Sequence, residues 1–592
     1  MVGGISVVML AGVFSAVWSR QLKASGGMLF IESAESTFGS CYINVMSIAY
    51  KYKHESKASE YFVKCSLACA SCLSSLGVVA FLILTVFAYS TFAVEPAQRS
   101  NNDVVLLGGK QLFIDDYIID EMHGVTKVLN QPVKHPKNPL AVPDLPWEKN
   151  GFYANGSAIY DPEARLFKIW VHIWKHQDDE LAATVGLYGY LTSTDGVQWR
   201  KPIINRGEKS NRVLPPLGTN SFSGQGIMKD PIEKDPARRF KMIYTENADK
   251  KPGEFQTSAA YSPDGVVWKV EPKNPLIPFG DSQNAPLWDA VRQSYVAYVR
   301  TGPPNVRGIA RIESRDFVHW SPKVTVFRPG EDKIDQPFRS MPYGMKVMPY
   351  AGCFIGLINT YHWETLGPIP KDKLWQDKVN VQLAFSRNGI MWNRVGPSGA
   401  IPHADLHKDL DWESIAKNQV FLQYGKHKKE WDWGQLYSYH APIVHNNKIW
   451  IYYTGLGSRH WSNYHGDDRP PKSGIGLATL RLDGFVSVQP VSDRKTGTLT
   501  TRPFVFLGND IQINADANGG SVRVEVLNAS GQPIKGFSAA ENRPLSNDQV
   551  RHSLSWNENQ NCAPLNGRQI RLKFYLDKSK LFSFTPTNRE RL

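Results

Sequence analysis

Eight carboxylates, Asp144, Glu148, Glu246, Asp281, Asp335, Glu364, Glu430 and Asp432, lie in stretches rich in aromatic and amide side chains. Gly280-Asp281-Ser282-Gln283-Asn284, Trp147-Glu148-Lys149-Asn150, Tyr361-His362-Trp363-Glu364 and Glu430-Trp431-Asp432-Trp433 are examples. Carboxyl groups in such company suit general acid/base work, with one protonated donor and one ionised base or nucleophile whose pKa values are held apart by burial and charge. Cleavage of a glycosidic bond needs that pair, and the neighbouring aromatic faces suit stacking on sugar rings. The expected roles are Asp281 as base or nucleophile and Glu246 or Glu364 as proton donor. Trp147, Glu148, Asn155, Asn284, Arg300, Asp335, Arg339, His362, Trp363, Asp432 and His440 are the expected substrate-binding residues.

Two repeats define the elements that must position these groups. The first is Ser193-Thr194-Asp195-Gly196-Val197-Gln198-Trp199, which returns at Ser262 to Trp268, Ser314 to Trp320 and Ser386 to Trp392, with a worn copy at Leu482 to Val486. Each copy follows an alternating apolar run, so it reads as strand, tight turn and an inward Trp. The second repeat is another hairpin, as in Ser157-Ala158-Ile159-Tyr160-Asp161-Pro162 leading into Leu166 to Val171. Its other copies lead into Phe240 to Tyr244, Tyr295 to Val299, Phe354 to Ile358 and Ile449 to Tyr453. Paired, the two repeats predict an all-β five-bladed propeller of four-stranded antiparallel blades.

Strand order then sorts the acids. Asp161, Asp195, Asp230, Asp264, Asp289, Asp316 and Asp483 fall in turns on one face, where Asp caps a turn through its own side chain. The eight carboxylates of the opening fall in loops on the opposite face, around the mouth of a central channel. Pro136-Lys137-Asn138-Pro139-Leu140 matches Pro272-Lys273-Asn274-Pro275-Leu276, which follows the Trp268 strand. The match predicts that Val125 to Pro139 completes the last blade, closing the ring and removing a sheet edge.

The chain has 592 residues, 42% hydrophobic and 21% charged, which is a globular composition with room for two or three domains. The formal net charge of +13 is spread thinly with no long Lys/Arg run, which argues against a nucleic-acid partner. Residues 1–100 read as a leader, with an apolar, uncharged run over 73–94 preceded by Lys51, Lys53, Lys57 and Lys64 and ending in Ser90-Thr91-Phe92-Ala93. That is the pattern of a signal peptide or an uncleaved transmembrane helix, so the protein is expected to be exported, whether secreted, periplasmic or membrane-anchored, with translation starting at Met28 or Met46. Four of the six Cys lie in this leader, and Cys353 and Cys562 are not expected to bridge. No metal ligand set or cofactor motif is present, although a structural cation in the channel is compatible with the residues.

The expected propeller domain covers 101–491. After a linker, residues 499–592 change to strictly alternating strands, as in Ile511-Gln512-Ile513-Asn514-Ala515 and Val522-Arg523-Val524-Glu525-Val526, which predict a small β-sandwich. The five-blade pattern, Phe113-Ile114-Asp115-Asp116, the Ser-x-Asp-Gly-x-x-Trp hairpins and the trailing sandwich together resemble glycoside hydrolase family 32, within the five-bladed group that includes family 43. The resemblance implies an exported glycosidase acting on an oligo- or polysaccharide. The family's Asn-Asp-Pro-Asn-Gly and Glu-Cys motifs are absent, and Lys229-Asp230-Pro231 is only an echo of its Arg-Asp-Pro motif, placed by strand order in a turn on the face of the capping acids. No catalytic residue therefore transfers by motif, and the candidates rest on strand position. The alternatives are a glycoside phosphorylase, with Arg300, Arg339 and His440 as a cationic pocket, and a non-catalytic carbohydrate-binding protein.

Overall fold

The structure, a computed structural model, describes residues 109–588 except single positions and the loops 174–186, 214–222, 248–254, 302–306, 329–332, 363–372, 461–465 and 492–495, together with backbone strands within 6–67. The expected membrane or signal segment 73–94, Trp363 and Glu364 lie outside the described residues. Among the described residues no helix is long and apolar enough to cross a membrane. The chain divides into two compact units, 1–99 and 100–592. In the first, Gly27–Phe38, Cys41–His54 and Lys57–Leu67 pair antiparallel.

The second unit is mostly β and contains five antiparallel meanders. The first sheet runs Phe152–Asp161, Leu166–Ile173, Leu187–Ser193 and Arg212–Val213. The second runs Ser223–Lys229, Phe240–Asn247, Phe255–Ser262 and Lys269–Val270. Ala285–Asp289, Ser294–Arg300, Ile309–Ser314 and Val324–Phe327 make the third, and Ser340–Tyr350, Cys353–His362, Lys378–Ser386 and Asn393–Gly396 the fourth. In the fifth, Gln435–Ser438 and Ile443–His445 pair with Lys448–Leu456, which pairs with Ser473–Arg481. Val133–Lys134 supplies its outer strand.

Alternation along each strand sends apolar side chains to both faces, so every sheet packs on two neighbours. In Leu166–Ile173, the side chains of Phe167, Ile169, Val171 and Ile173 join Tyr439, Tyr452, Ile475 and Leu477 of the fifth sheet. Trp170, on the other face, joins Phe240, Met242, Tyr244 and Trp268 of the second. Comparable cores join the second sheet to the third through Ile243 and Ala297, the third to the fourth through Tyr298 and Met345, and the fourth to the fifth through Leu357 and Ile451.

The Ser-x-Asp-Gly hairpins are built alike. Asp195 Oδ1 accepts from the amides of Val197 and Gln198 at 2.8 and 2.7 Å, and Asn388 Oδ1 accepts from Ile390 and Met391 at 2.9 and 2.8 Å. Against the desolvation of partial burial, such bonds hold Asp195 and Asp316 below the ordinary carboxylate range. Asn138 and Asn274 also play one role. Each side chain exchanges two hydrogen bonds with a third-strand backbone, Asn138 with Leu477 at 2.9 and 3.0 Å and Asn274 with Ala259 at 2.9 and 2.9 Å.

The two ends of this unit meet in a second body. One sheet contains Asp548–Ser553, Asp510–Asp516, Lys580–Thr587, Val486–Pro490 and Val125–Leu129, and the other contains Ser521–Asn528, Gln569–Asp577, Thr496–Thr501 and Ile119–His123. They share a core with Phe113, Trp556, Phe574 and Phe584. The sequence reading assigned all of Val125 to Pro139 to the last blade. Its second half goes there, with Val133–Lys134, His135 and Asn138 bonded along Ser473–Arg481, whereas Val125–Leu129 pairs with Val486–Pro490 and is carried into the sandwich. Cys353 and Cys562 are buried and are not joined in a disulfide.

Trp170 is fully buried and its Nε1 donates to the Gly265 carbonyl at 2.7 Å, tying the first sheet to the second sheet's hairpin. Trp170→Ala is expected to destabilise the protein by about 3–5 kcal/mol, read as a lowered denaturation midpoint. A loss below about 1 kcal/mol would show that this interface does not support the ring of sheets.

Candidate functional site

The first strands of the five sheets converge, and their polar groups bond to one another across the centre. Gln283, whose φ of 76° is left-handed, sits just before the first strand of the third sheet. Its Nε2 donates to the Ala154 carbonyl of the first sheet at 3.3 Å, and its Oε1 accepts from Asn359 Nδ2 of the fourth at 3.1 Å. Asn359 Oδ1 in turn accepts from the amide and hydroxyl of Ser438 in the fifth, at 3.0 and 2.9 Å. Four sheets are thus joined in a buried polar floor. A left-handed non-glycine residue costs on the order of 1–3 kcal/mol, and such residues persist where their surroundings over-determine them.

Above this floor, toward the ends of the strands opposite the Asp-Gly turns, lies a cluster of cations, rings and two described carboxylates, Asp281 and the buried Asp377, which accepts from the Tyr361 hydroxyl at 2.5 Å. Arg300, the last residue of its strand, donates from Nη1 to Asp281 Oδ2 at 2.7 Å and from Nη2 to the Tyr343 carbonyl at 2.6 Å. Although burial opposes its charge, Asp281 raises the Arg300 pKa. The guanidinium lies 4.4 Å from the Tyr343 ring centroid, and Arg307 lies 5.2 and 5.0 Å from those of Tyr343 and Tyr361. Tyr343, Tyr153 and Tyr437 continue the wall, with ring centroids 5.7 Å apart for Tyr343–Tyr437 and 6.1 Å for Tyr153–Tyr437. The Tyr343 hydroxyl meets His460 Nε2 at 3.2 Å, and burial, reinforced by Arg307 and Arg300, pushes the His460 pKa down to about 3. His460 is therefore a neutral hydrogen-bonding group at physiological pH. The Asp281 side chain keeps 31% of its exposure, so it is the carboxylate of this cluster that a ligand can reach.

Of the residues expected at the site, the structure gathers Asp281, Asn284 and Arg300. Asn284 Nδ2 donates to the Gly224 and Asp281 carbonyls at 2.8 and 3.3 Å. Glu246 does not pair with Asp281. Thr245 Oγ1 donates to the Asp281 carbonyl at 2.6 Å, while Glu246, next along the strand and so on the opposite face, accepts from Ser258 Oγ. Among the described residues no hydrogen bond or ion pair links the two carboxylates. Asp335 is buried on Arg394 Nη2 at 2.7 Å at the outer strand of the fourth sheet. Arg339 is exposed, just before the Ser340–Tyr350 strand. Asp432 is held by Lys134 Nζ at 2.6 Å and the Tyr453 hydroxyl at 3.0 Å, beside the fifth sheet's outer strand. Trp147 donates to Asn211 Oδ1 at 3.0 Å, and Glu148 is buried against Lys201, so both brace the first sheet. His362 is buried against Ser340 at 2.8 Å, and burial pushes its pKa down to about 4. Asn155 and His440 lie on first strands, both buried.

Gln283, Asn359, Tyr153, Tyr343, Tyr437, Arg307 and His460 were not among the expected site residues. A signal existed for three, because Tyr153, Tyr343 and Tyr437 recur near the starts of the first strands of the first, fourth and fifth sheets. Among the described residues no group of three His, Cys, Asp or Glu is arranged to hold a metal ion.

Burial raises the Glu246 pKa above the ordinary carboxylate value, opposed by the Ser258 hydrogen bond. The raised folded-state pKa means that the protonated carboxyl stabilises the fold below the unfolded pKa, and that this contribution is lost as pH rises through the folded one. Glu246→Gln, neutral throughout, should match wild type in acid and exceed its thermal stability at neutral pH. A stability difference that stays constant with pH would remove Glu246 from the titrating groups.

No protein-family model and no curated protein matches the chain. Solved structures that it resembles include an N-acetylgalactosamine deacetylase from F. plautii in complex with blood group B trisaccharide, at 13% identity and TM-score 0.38, covering 61% of this chain and 97% of that one. A glycosyl hydrolase from Bacteroides ovatus matches at 13% identity and TM-score 0.38, covering 60% and 94%. A β-1,2-mannobiose phosphorylase from Listeria innocua matches at 10% identity and TM-score 0.37, covering 59% and 96%.

Proposed function

We propose that this chain is an exported carbohydrate-active enzyme, that its five sheets are the blades of a five-bladed propeller, and that it cleaves a glycosidic bond at Asp281. The observation that carries the reading is the reachable Asp281 carboxylate, ion-paired to Arg300 at the edge of a wall of tyrosines over a closed polar floor. An ion-paired carboxylate suits the anionic role, as base toward water or as nucleophile at the anomeric carbon. Tyr153, partly buried where Tyr343 and Tyr437 are buried, offers a ring face to the apolar side of a sugar, while the hydroxyls of Tyr343 and Tyr437 are bonded to His460 and Gln435.

Hydrolysis also needs a proton donor for the leaving oxygen. With Glu246 on the far face of its sheet, Glu364 is the donor in this reading, because it follows in sequence from His362 at the cluster end of the fourth sheet. Phosphorolysis is the second reading. Arg300 and Arg307 flank the same tyrosine, and Lys323 interacts electrostatically with Asp281, so an anionic acceptor would meet positive charge beside the reacting carbon. Inorganic phosphate would then attack the anomeric carbon in place of water as the glycosidic bond breaks, and the proton that phosphate gives up would reach the leaving oxygen through Asp281.

Asp281→Asn is expected to lower kcat by about 10²-fold or more while the fold is retained, and Glu364→Gln to do so only if water is the acceptor. A glycoside panel assayed with and without inorganic phosphate separates the readings, since phosphorolysis yields a sugar 1-phosphate and stops when phosphate is withdrawn. Full activity of Asp281→Asn on a substrate that wild type turns over would overturn the assignment. Export through 73–94 predicts a mature amino terminus just after Ala93. A product that retains this segment in the cytoplasm would contradict that part.

A further inference from the structure

Beneath the polar floor is a second layer that the chemistry above the floor does not use. Lys346 lies two residues beyond Gly344, the partner of Asn359 across the strands, and His440 lies two residues beyond Ser438. Both run toward the Asp-Gly end of the sheets, so each is about 7 Å below the floor. Lys346 is 0% exposed and its Nζ has no hydrogen-bond partner in the protein. His440 is 3% exposed, its ring bonds to the Pro286 backbone of the third sheet, and its Nδ1 is unpartnered. On the first strand of the second sheet, Gln225 is 1% exposed with both amide atoms unpartnered.

The charges of this layer have one sign. The groups acting on Lys346 and His440 are Arg300 and Lys346 respectively, with no carboxylate on either. Lys346 presents three donors and Gln225 an amide N–H, while the His440 ring, its pKa pushed down to about 3 by burial and by Lys346, stays neutral. An unpaired buried ammonium is costly, and a counter-ion or loss of the proton relieves it. Burial, with Arg300 adding to it, lowers the Lys346 pKa to about 7, so the ammonium is within easy reach. An ammonium with no acid acting on it calls for an anion beside it.

We infer that the centre of the five sheets, below the Gln283–Asn359–Ser438 floor, holds a small monovalent inorganic anion of the halide class on Lys346 Nζ. It acts as a structural counter-ion for a centre where five strands meet without a buried acid. The inference does not depend on the proposed enzymatic reading, since Asp281 and Arg300 lie on the other side of the floor.

Bromide is the probe. Crystals of the full chain grown in sodium bromide should show an anomalous peak beside Lys346 Nζ, in wild type and in Asp281→Asn alike. In solution, the denaturation midpoint should rise with bromide at constant ionic strength, with gluconate as the balancing anion. Lys346→Met should lose this rise, and Lys346→Arg should keep it should Met prevent folding. A centre without anomalous signal, together with a midpoint indifferent to bromide in wild type, would overturn the proposal. So would an undiminished bromide response in Lys346→Met.

Discussion

Each of the five sheets is apolar on both faces, and that constraint shapes the rest of the second unit. A strand such as Leu166–Ile173, with Ile169, Trp170, Val171 and Ile173 all fully buried, has no face to give to water. It must be covered twice, and the covering sheets face the same demand in turn. Five interfaces for five sheets satisfy everyone, with the first sheet packed on both the second and the fifth. Burial at roughly 25 cal/mol per Å² of apolar surface gives each interface far more stabilisation than any one hydrogen bond within it.

That arrangement brings five first strands together at a centre that holds buried polar side chains. Some of the polar groups there satisfy one another. Gln283 adopts a left-handed backbone and joins three other sheets through its amide, Asn359 and Ser438. The floor divides the centre in two. On one side Arg300 spends its guanidinium on Asp281 and the Tyr343 carbonyl, which leaves the carboxylate positioned and partly open. On the other side Lys346 and His440 sit without an acid. The same convergence therefore produces an open anionic group in a cationic, aromatic cluster and an enclosed cationic layer beneath it.

Much of the scaffold was legible because its signals are local. The turn that Asp195, Asp264, Asp316 and Asn388 each build needs only residues within four of one another. Asn138 and Asn274 were matched by their flanking prolines and do bond in the same way. The site was legible only in part. Asp281, Asn284 and Arg300 come together because they cluster where the second sheet hands over to the third. Glu246, two residues beyond Tyr244 at the matching loop, faces away because strand alternation sends it with Tyr244 toward the first sheet. Asp335 and Asp432 lie at outer strands, a radial position that no pattern of strands and turns encodes.

By itself the sequence determined the repeating hairpins, the β-rich class and the separation of turn-capping acids from the others, since periodicity, Asp-Gly turns and Trp spacing act within a few residues. Only the tertiary structure decided which acids reach the centre, that Val125–Leu129 leaves the fifth sheet for the sandwich, and that Gln283, Tyr343, Arg307 and His460 share a site. Those outcomes depend on how five sheets are packed about one centre. That is settled by non-local burial and by the need to satisfy buried polar groups across strands far apart in the chain.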